Sequence, residues 1–241
     1  MMITVKLAGL AIGIDNKYEY LVRQTEDYLT DESAVFTVSV TEEEIDAEND
    51  ALGGVYRRGY LESIAVYRKI AERLPLYDAF VFHGAVLNVG GTAYAFTAKS
   101  GVGKTTHIRL WLEELAGCAH VLNGDKPIIR FIDGIPYACG TPWRGKEDYG
   151  VNEMAPLGGI AFLSRSEKNI ATVADPAGSV MKLITQMYMP TDRSAVARTM
   201  VLADRLLRGV RLIDLGCNMN SDAPRVAYEA LLQQDAREGQ K

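Results

Sequence analysis

The residues with the clearest chemical signature form the segment AKSGVGKT at positions 98–105. It lies between an apolar run that predicts a strand and an amphipathic run that predicts a helix. Glycines at such a junction let the backbone curl so that successive N–H groups point inward, and the start of a helix adds partial positive charge. The pattern therefore predicts a phosphate-binding loop formed by Ser100, Gly101, Val102, Gly103, Lys104 and Thr105.

The last two residues of this loop have distinct expected tasks. Lys104 would bridge the outer phosphates of a nucleotide, and the hydroxyl of Thr105 would occupy one position around Mg²⁺. The first glycine of the usual G-x-x-x-x-G-K-[ST] pattern is replaced by Ala98. Alanine is costly there only if the position needs a positive φ or the closest backbone approach. The alternative to a nucleotide site is a glycine-rich turn that caps an ordinary helix.

Asp125 is the second candidate, in the segment NGDK at positions 123–126. It follows a strand-like run, 21 residues after Lys104 in the sequence. A carboxylate at the end of a strand beside a phosphate loop can reach Mg²⁺ or a substrate hydroxyl. The alternative is a plain β-turn residue, since Asn, Gly and Asp are all turn formers.

His83 lies in the middle of the apolar run at positions 79–88, for which the sequence predicts one continuous buried strand. A histidine in such a strand is more often a satisfied core residue than a catalyst. The turn residues Gly90 and Gly91 predict a hairpin that makes this strand the neighbour of the one feeding the phosphate loop. That proximity makes His83 a candidate catalytic residue.

A glycine- and proline-containing loop is predicted at positions 140–148. Loops held by a rigid sheet concentrate substrate contacts, and a cation there can offset charge on a transferred phosphoryl group. Arg144 and Lys146 are the candidates for that role. The alternative is a solvated loop whose Trp143 packs on the domain surface.

Periodicity predicts the elements that position these residues. Apolar spacings of three and four predict a helix over 60–74, closed by Pro75, and Thr41 with Glu44 predicts a capping box at an earlier helix. Pro75 divides the chain into an N-terminal α+β region, residues 1–76, for which substrate selection is one expected role, and a kinase-like domain, residues 77–241. Further strands are predicted at 3–7, 35–40, 92–97, 119–122, 128–132, 135–138, 159–163 and 210–215, and helices at 105–115, 176–189, 193–207 and 223–233. Interleaved strands and helices indicate a mixed sheet flanked by helices.

Composition excludes several classes of protein. The chain has 241 residues, is 48% hydrophobic and carries a formal net charge of -5. An acidic balance argues against a nucleic-acid or membrane-surface partner, because both need a surplus of Lys and Arg. The three separated cysteines predict neither a disulfide framework nor a zinc site, and the apolar N-terminal stretch predicts a strand. No segment is apolar enough to predict a membrane span, so the expected compartment is the cytoplasm.

Taken together, these residues resemble the catalytic domain of HPr kinase/phosphorylase. The resemblance covers about residues 79–132: a strand with His83-Gly84, a hairpin, the phosphate loop, a helix and a strand ending in an acidic turn. More distantly, the segment is similar to the nucleotide-binding part of the ATP-dependent phosphoenolpyruvate carboxykinases. The resemblance implies an α/β fold with a mixed, largely antiparallel sheet, ATP with Mg²⁺, phosphoryl transfer to a hydroxyl, and a tendency to form homo-oligomers. It places Thr106 in the phosphate loop and implies active-site roles for His83 and Asp125.

The chain departs from that family at informative positions. HPr kinases have two consecutive aspartates where this chain has Gly124-Asp125, and the available substitutes for the missing carboxylate are Glu147, Asp148 and Glu153. The family's Glu-Arg-Gly signature is not reproduced at positions 153–159, which argues against HPr as the substrate. No match to the carboxykinase metal site or oxaloacetate-binding arginines is present, which argues against decarboxylation.

The sequence therefore predicts an ATP-dependent phosphotransferase that acts on a hydroxyl of a small molecule or a peptide. In this hypothesis Asp125 orients or deprotonates the acceptor and binds Mg²⁺ with Thr105. His83 supports Asp125, and Arg144 and Lys146 neutralise the transition state. Two alternatives stay open: a nucleotide-binding regulatory module without transfer activity, and a phosphorylase or phosphatase.

Overall fold

A computed structural model describes residues 1–99 and 101–232 of the chain. Ser100, predicted in the phosphate loop, and Gln233, the predicted end of the last helix, lie outside the described residues. No helix in the described ranges is both long and apolar enough to cross a membrane.

The N-terminal region is built on a small sheet. Strands β1 (Met2–Leu7) and β2 (Leu10–Asp15) pair antiparallel through a tight turn, and β3 (Phe36–Ser39) pairs parallel to β2. The single strand predicted over the apolar N-terminal stretch is therefore a hairpin. Ala8 and Gly9 both have positive φ, the conformation that favours a two-residue hairpin turn.

Three helices cover this sheet: α1 (Glu19–Gln24), α2 (Glu42–Leu52) and α3 (Arg58–Arg73). The capping box predicted at the start of α2 is confirmed, since Thr41 and Glu44 exchange both hydrogen bonds. Helix α3 buries Leu61, Val66 and Ile70 in the core of this region, whereas Tyr60, the first residue of the predicted apolar spacing, is exposed. Helix α3 ends at Arg73, and Pro75 does not end the helical segment abruptly, because it lies in a short 3₁₀ helix, Leu74–Tyr77.

The described residues also build a nine-stranded mixed sheet. Most of its strand pairs are antiparallel, which agrees with the predicted fold class, while β10 pairs parallel with both β6 and β12. The two-residue turn at Gly90 and Gly91 joins β5 and β6, which confirms the predicted hairpin. The strands are β4 (Ala79–Val81), β5 (Ala85–Val89), β6 (Thr92–Thr97), β7 (Ala119–Asn123), β8 (Ile128–Ile132), β9 (Ile135–Cys139), β10 (Met154–Arg165), β11 (Ile170–Val173) and β12 (Arg211–Cys217).

The prediction of one continuous strand over 79–88 is wrong. Strand β4 pairs with β8, whereas β5 pairs with β6 and β7, and the chain bends between them at His83 and Gly84. The two N–H groups at the bend donate outside the sheet, from His83 to the carbonyl of Gln186 at 2.6 Å and from Gly84 to that of Asp125 at 3.0 Å. His83 is therefore at a break between strands and is partly exposed.

Helices cover both faces of this sheet. Helices α4 (Lys104–Glu114) and α7 (Ala223–Leu232) pack on one face, and α5 (Pro176–Ile184) and α6 (Arg193–Gly209) pack on the other. Helix α5 is shorter than the predicted 176–189, because the chain turns after Thr185 and forms an isolated bridge between Met187 and Phe82.

Candidate functional site

The predicted phosphate loop connects the end of β6 to the start of α4. Gly101 and Gly103 have φ values of 78° and 117°, in the left-handed region that favours glycine, and an added side chain at either would meet open space. The glycines are therefore needed for backbone conformation. Ala98 has no such φ, so the replacement of the first glycine introduces no backbone strain.

Of the predicted loop residues, Lys104 and Thr105 line a cleft, while Val102 packs against the core and Thr106 lies outside the cleft lining. Burial lowers the pKa of the Lys104 ammonium, and the charge of Asp125 opposes that effect. Among the described residues, Lys104 has no hydrogen-bond or ion-pair partner. A partly buried cation without a protein partner is a fit for an anionic ligand.

The cleft has a volume of about 1350 Å³ and is lined by residues of both the N-terminal region and the later part of the chain. One side is formed by the start of α4 and the turn at Asp125. The opposite side is formed by helices α1 and α3 of the N-terminal region, with Tyr20, Tyr60 and Tyr67 among its residues. A loop at 142–149, which contains Arg144 and Lys146, also lines the cleft. This space exceeds a typical small-ligand pocket of roughly 300–1000 Å³, so it has room for a nucleotide and a second molecule.

Asp125 is presented by a turn that Asn123 organises. The side-chain oxygen of Asn123 accepts hydrogen bonds from the N–H groups of Asp125 at 2.9 Å and Lys126 at 2.8 Å. The amide nitrogen of Asn123 donates to the carbonyl and hydroxyl of Thr141, both at 3.1 Å. Asn123 is fully buried. The turn interpretation and the functional interpretation of this segment are thus compatible, because Asn123 makes the turn and Asp125 faces the cleft.

Asp125 has two cationic or polar partners. Its Oδ1 atom lies 3.3 Å from Nε2 of His83, and its Oδ2 atom accepts a hydrogen bond from Nζ of Lys126 at 3.0 Å. Burial raises the pKa of the Asp125 carboxyl, but His83 and Lys126 together outweigh it and lower that pKa to about 2. The carboxylate is therefore ionised at neutral pH.

His83 approaches Asp125 from a separate side pocket of about 150 Å³. It does not line the main cleft. Tyr67, Lys126 and Tyr188 line both spaces and so separate them. His83 can therefore hold Asp125 in place without touching a ligand in the main cleft.

The loop at 140–149 covers the Asp125 turn closely. An added side chain at Gly145 would come within 2.8 Å of Cβ of Asp125, and one at Gly124 would come within 3.0 Å of the carbonyl oxygen of Arg144. The N–H of Gly124 also donates to the carbonyl of Tyr149 at 2.9 Å. The glycine at position 124 thus has a local physical reason, since a side chain there would be crowded by the main chain of the covering loop.

Arg144 and Lys146, predicted to share one role, are in different environments. The side chain of Arg144 is only 17% exposed and pairs with Asp27 at 3.2 Å, with its guanidinium 5.9 Å from the ring centre of Tyr28. Lys146 is exposed and, among the described residues, has no ion-pair partner. Arg144 therefore holds the loop to the N-terminal region. Of the two cations in this loop, Lys146 is the one that is available to a ligand.

Trp143, which the alternative interpretation of its loop placed on the domain surface, connects the two parts of the chain. Its Nε1 donates to the hydroxyl of Ser63 at 3.0 Å, which donates to the side-chain oxygen of Gln24 at 2.5 Å. Gln24 donates back to the carbonyl of Pro142 at 3.2 Å, and the ring of Trp143 packs 5.2 Å from that of Tyr67. The loop is thus fixed to helices α1 and α3.

The three substitutes for the missing carboxylate are not equivalent. Glu147 and Asp148 line the cleft, and Glu147 pairs with Arg109 at 3.4 Å. Glu153 lies elsewhere, where it contacts His120 at 2.7 Å and the side-chain amide of Asn88. It does not line the cleft, so only Glu147 and Asp148 are placed to assist Asp125.

Sequence reasoning did not identify Asn123, Lys126 or Tyr67 as parts of the site. Lys126 directly follows Asp125 and Asn123 precedes it by two residues, so the sequence alone indicated that both lie near Asp125. Tyr67 lies within the helix predicted over 60–74, where it was one of the apolar positions and had no expected role in the site. Its position in the cleft depends on how α3 packs against the loop at 142–149, for which the sequence holds no local signal.

No family model matches the chain, and no curated protein matches it. Among solved structures, the Hpr(Ser) kinase/phosphatase from Coxiella burnetii is similar over 63% of this chain and 87% of that chain, with 9% sequence identity and a TM-score of 0.38. This is a distant resemblance of fold.

Proposed function

We propose that this protein is an ATP-dependent phosphotransferase that moves the γ-phosphate to a hydroxyl group. The observation that carries the proposal is that Lys104 and Thr105, at the start of α4, share one cleft with the ionised Asp125. A partly buried cation beside a helix start suits a polyphosphate, and a carboxylate on the same side of the cleft suits an acceptor hydroxyl.

Magnesium would enter this site together with the nucleotide. Among the described residues, no group of three or more His, Cys, Asp or Glu could hold a metal ion. Mg²⁺ commonly binds through one or two protein oxygens plus phosphate oxygens and waters. The hydroxyl of Thr105 and the carboxylate of Asp125 are the protein oxygens that fit this pattern.

The transfer forms one bond and breaks one. The acceptor oxygen bonds to the γ-phosphorus while the bond from that phosphorus to the β,γ-bridging oxygen breaks, and ADP leaves. Asp125 accepts a hydrogen bond from the acceptor hydroxyl and takes its proton as the new bond forms. A carboxylate with a pKa of about 2 is a weak base, which suits a loose transition state whose catalysis is mostly positioning and charge. Lys104 and Lys146 offset the phosphoryl charge.

Residues 1–76 are proposed as the acceptor-selecting region and residues 77–241 as the phosphotransferase domain. Helices α1 and α3 supply the side of the cleft that faces the phosphate loop, and this side carries the hydroxyl groups of three tyrosines. An acceptor bound between the two sides would contact the N-terminal region directly. The chemistry of that side suits either a small polyol or a hydroxyl-bearing peptide.

The test uses the full chain with γ-labelled ATP and Mg²⁺, incubated with a cell extract separated into small molecules and proteins. Transfer of label to either fraction is the expected result, and Lys104→Ala should reduce it at least about 100-fold. Lys99→Ala, which removes an exposed lysine at the other end of the loop, is the matched control and should retain transfer. Wild-type-like turnover by Lys104→Ala would refute the assignment.

A second candidate is a nucleotide-binding module without transfer. The observation that favours it is the single carboxylate at the turn, since the residue before Asp125 is Gly124 and supplies no second carboxylate. Tight ATP retention with no labelled product and no ADP release would support the module over the enzyme. Release of pyrophosphate, or net removal of phosphate from a labelled protein, would instead indicate a phosphorylase or phosphatase.

A further inference from the structure

Arg165 contacts the phosphate loop from a part of the chain in which no site residue was expected. It is the last residue of β10, which runs parallel to β6, so the two strands end at the same edge of the sheet. One guanidinium nitrogen of Arg165 donates to the carbonyl oxygen of Gly101 at 2.6 Å. Arg165 does not line the main cleft and therefore holds the loop from outside it.

The contact fixes the direction of one peptide group. The carbonyl of Gly101 and the N–H of Val102 belong to the same planar trans peptide and point in opposite directions. With the carbonyl held on the side of Arg165, the N–H turns toward the interior of the loop, where it donates to the carbonyl of Lys99 at 3.3 Å. That hydrogen bond is long, so a charged phosphate oxygen is a better acceptor and can replace it.

The flexibility of this segment explains why such a contact is needed. Gly101 and Gly103 permit the left-handed conformation but leave the backbone free to adopt others, and ordering glycine is entropically expensive. A charged hydrogen bond to the carbonyl between them favours one orientation of the Gly101–Val102 peptide.

We propose that Arg165 is a positioning residue that pre-orients the Gly101–Val102 peptide of the phosphate loop for a polyphosphate ligand. This inference rests on the proposed function, because it requires that the loop bind a polyphosphate. It differs from the proposed function in naming a residue outside the cleft on which the affinity of that loop depends.

The experiment measures binding of Mg-ATP and of magnesium tripolyphosphate to the full chain by calorimetry. Arg165→Ala should weaken both ligands by about tenfold, since a hydrogen bond with one charged partner is lost. Arg165→Lys keeps a charged donor group, and its affinity for both ligands should stay within about threefold of the wild-type affinity. Arg208→Ala removes an exposed arginine that pairs with Asp204 on α6, and it should bind like the wild type.

The outcomes separate this inference from the proposed function. Wild-type protein that binds neither ligand would overturn both. Wild-type binding together with unchanged affinity in Arg165→Ala would overturn the positioning role alone. Weakening of ATP without weakening of tripolyphosphate would also overturn it, because Arg165 would then contact the nucleoside. An unchanged unfolding temperature, together with rescue by lysine, would distinguish positioning from a general loss of structure.

Discussion

Nε2 of His83 lies 3.3 Å from Oδ1 of Asp125, and the main chains of the two segments are joined as well, since the N–H of Gly84 donates to the carbonyl of Asp125 at 3.0 Å. The bend between β4 and β5 therefore positions both the backbone and the side chain of the carboxylate. His83 acts on Asp125 from the side pocket, so its expected effect on a reaction is indirect.

The first prediction concerns acid stability. The pKa of Asp125 is lowered from 3.8 to about 2 in the folded chain, so its ionised form favours folding. That contribution is present above about pH 4 and is lost as the pH falls toward 2. Asp125→Asn should be less stable than the wild type by about 1 kcal/mol at pH 7, a value reduced for partial exposure of the carboxylate.

Urea unfolding of both proteins between pH 7 and pH 2.5 measures this difference. The two free energies of unfolding should converge on the acid side. A difference that stayed constant with pH would show that the lowered pKa of Asp125 is not the source of the stability. Asp222→Asn, at a carboxylate that pairs with Asn169, is the matched control and should show no such convergence.

The second prediction concerns Gly145. Its φ is +78°, and an added Cβ would lie within 2.8 Å of Cβ of Asp125, so Gly145→Ala must shift the carboxylate. Gly134→Ala is the control, because Gly134 has a similar φ of +85° but open space around it. Gly145→Ala should be less stable than this control by about 1 kcal/mol or more and should lose most phosphoryl transfer. Equal stability and equal transfer in the two variants would contradict the close contact.

The third prediction separates Arg144 from Lys146. Arg144→Ala removes a largely buried side chain with its partners Asp27 and Tyr28, so the free energy of unfolding should fall by about 1–2 kcal/mol. Lys146→Ala should change the free energy of unfolding by less than about 0.5 kcal/mol, because the side chain is exposed. The same variant should slow phosphoryl transfer by about tenfold, because it removes a cation from the cleft. Thermal unfolding and transfer assays on both variants provide the comparison. Loss of transfer without loss of stability in Arg144→Ala would return Arg144 to the catalytic role predicted from the sequence.

Features carried by local patterns could be predicted from the sequence. The hairpin at Gly90 and Gly91 and the capping box of α2 depend on residues within a few positions of each other, and the structure contains both. The bend at His83 could not be predicted in this way, because its N–H groups find their acceptors at Asp125 and Gln186, far along the chain. An apolar run gives no indication that its two halves pair with different strands.

The candidate site divides in the same manner. The predicted phosphate loop and Asp125 have readable local signatures, whereas the different environments of Arg144 and Lys146 do not. Both are cations in one polar loop, and only the packing of Asp27 and Tyr28 against that loop distinguishes them. The Arg165 contact also depends on the parallel pairing of β10 with β6, which brings together residues 64 positions apart.

The last prediction concerns the connection between the N-terminal region and the loop that covers Asp125. Ser63 is buried and accepts the indole N–H of Trp143 while donating to Gln24. Trp143→Phe and Ser63→Ala should each lower the free energy of unfolding by about 1–3 kcal/mol, because each leaves a polar partner unsatisfied. The double variant should cost less than the sum by about 1 kcal/mol, since the two changes remove the same hydrogen bond.

Trp143→Phe combined with Thr199→Ala supplies the control cycle. Thr199 is also buried but donates to Ala195 within α6, so these two changes should be additive. Because Trp143 belongs to the same loop as Gly145, which lies over Asp125, loss of the Ser63 bond should also reduce phosphoryl transfer. Additivity in the first cycle, or full transfer in Ser63→Ala, would show that the N-terminal region does not control the position of the loop over Asp125.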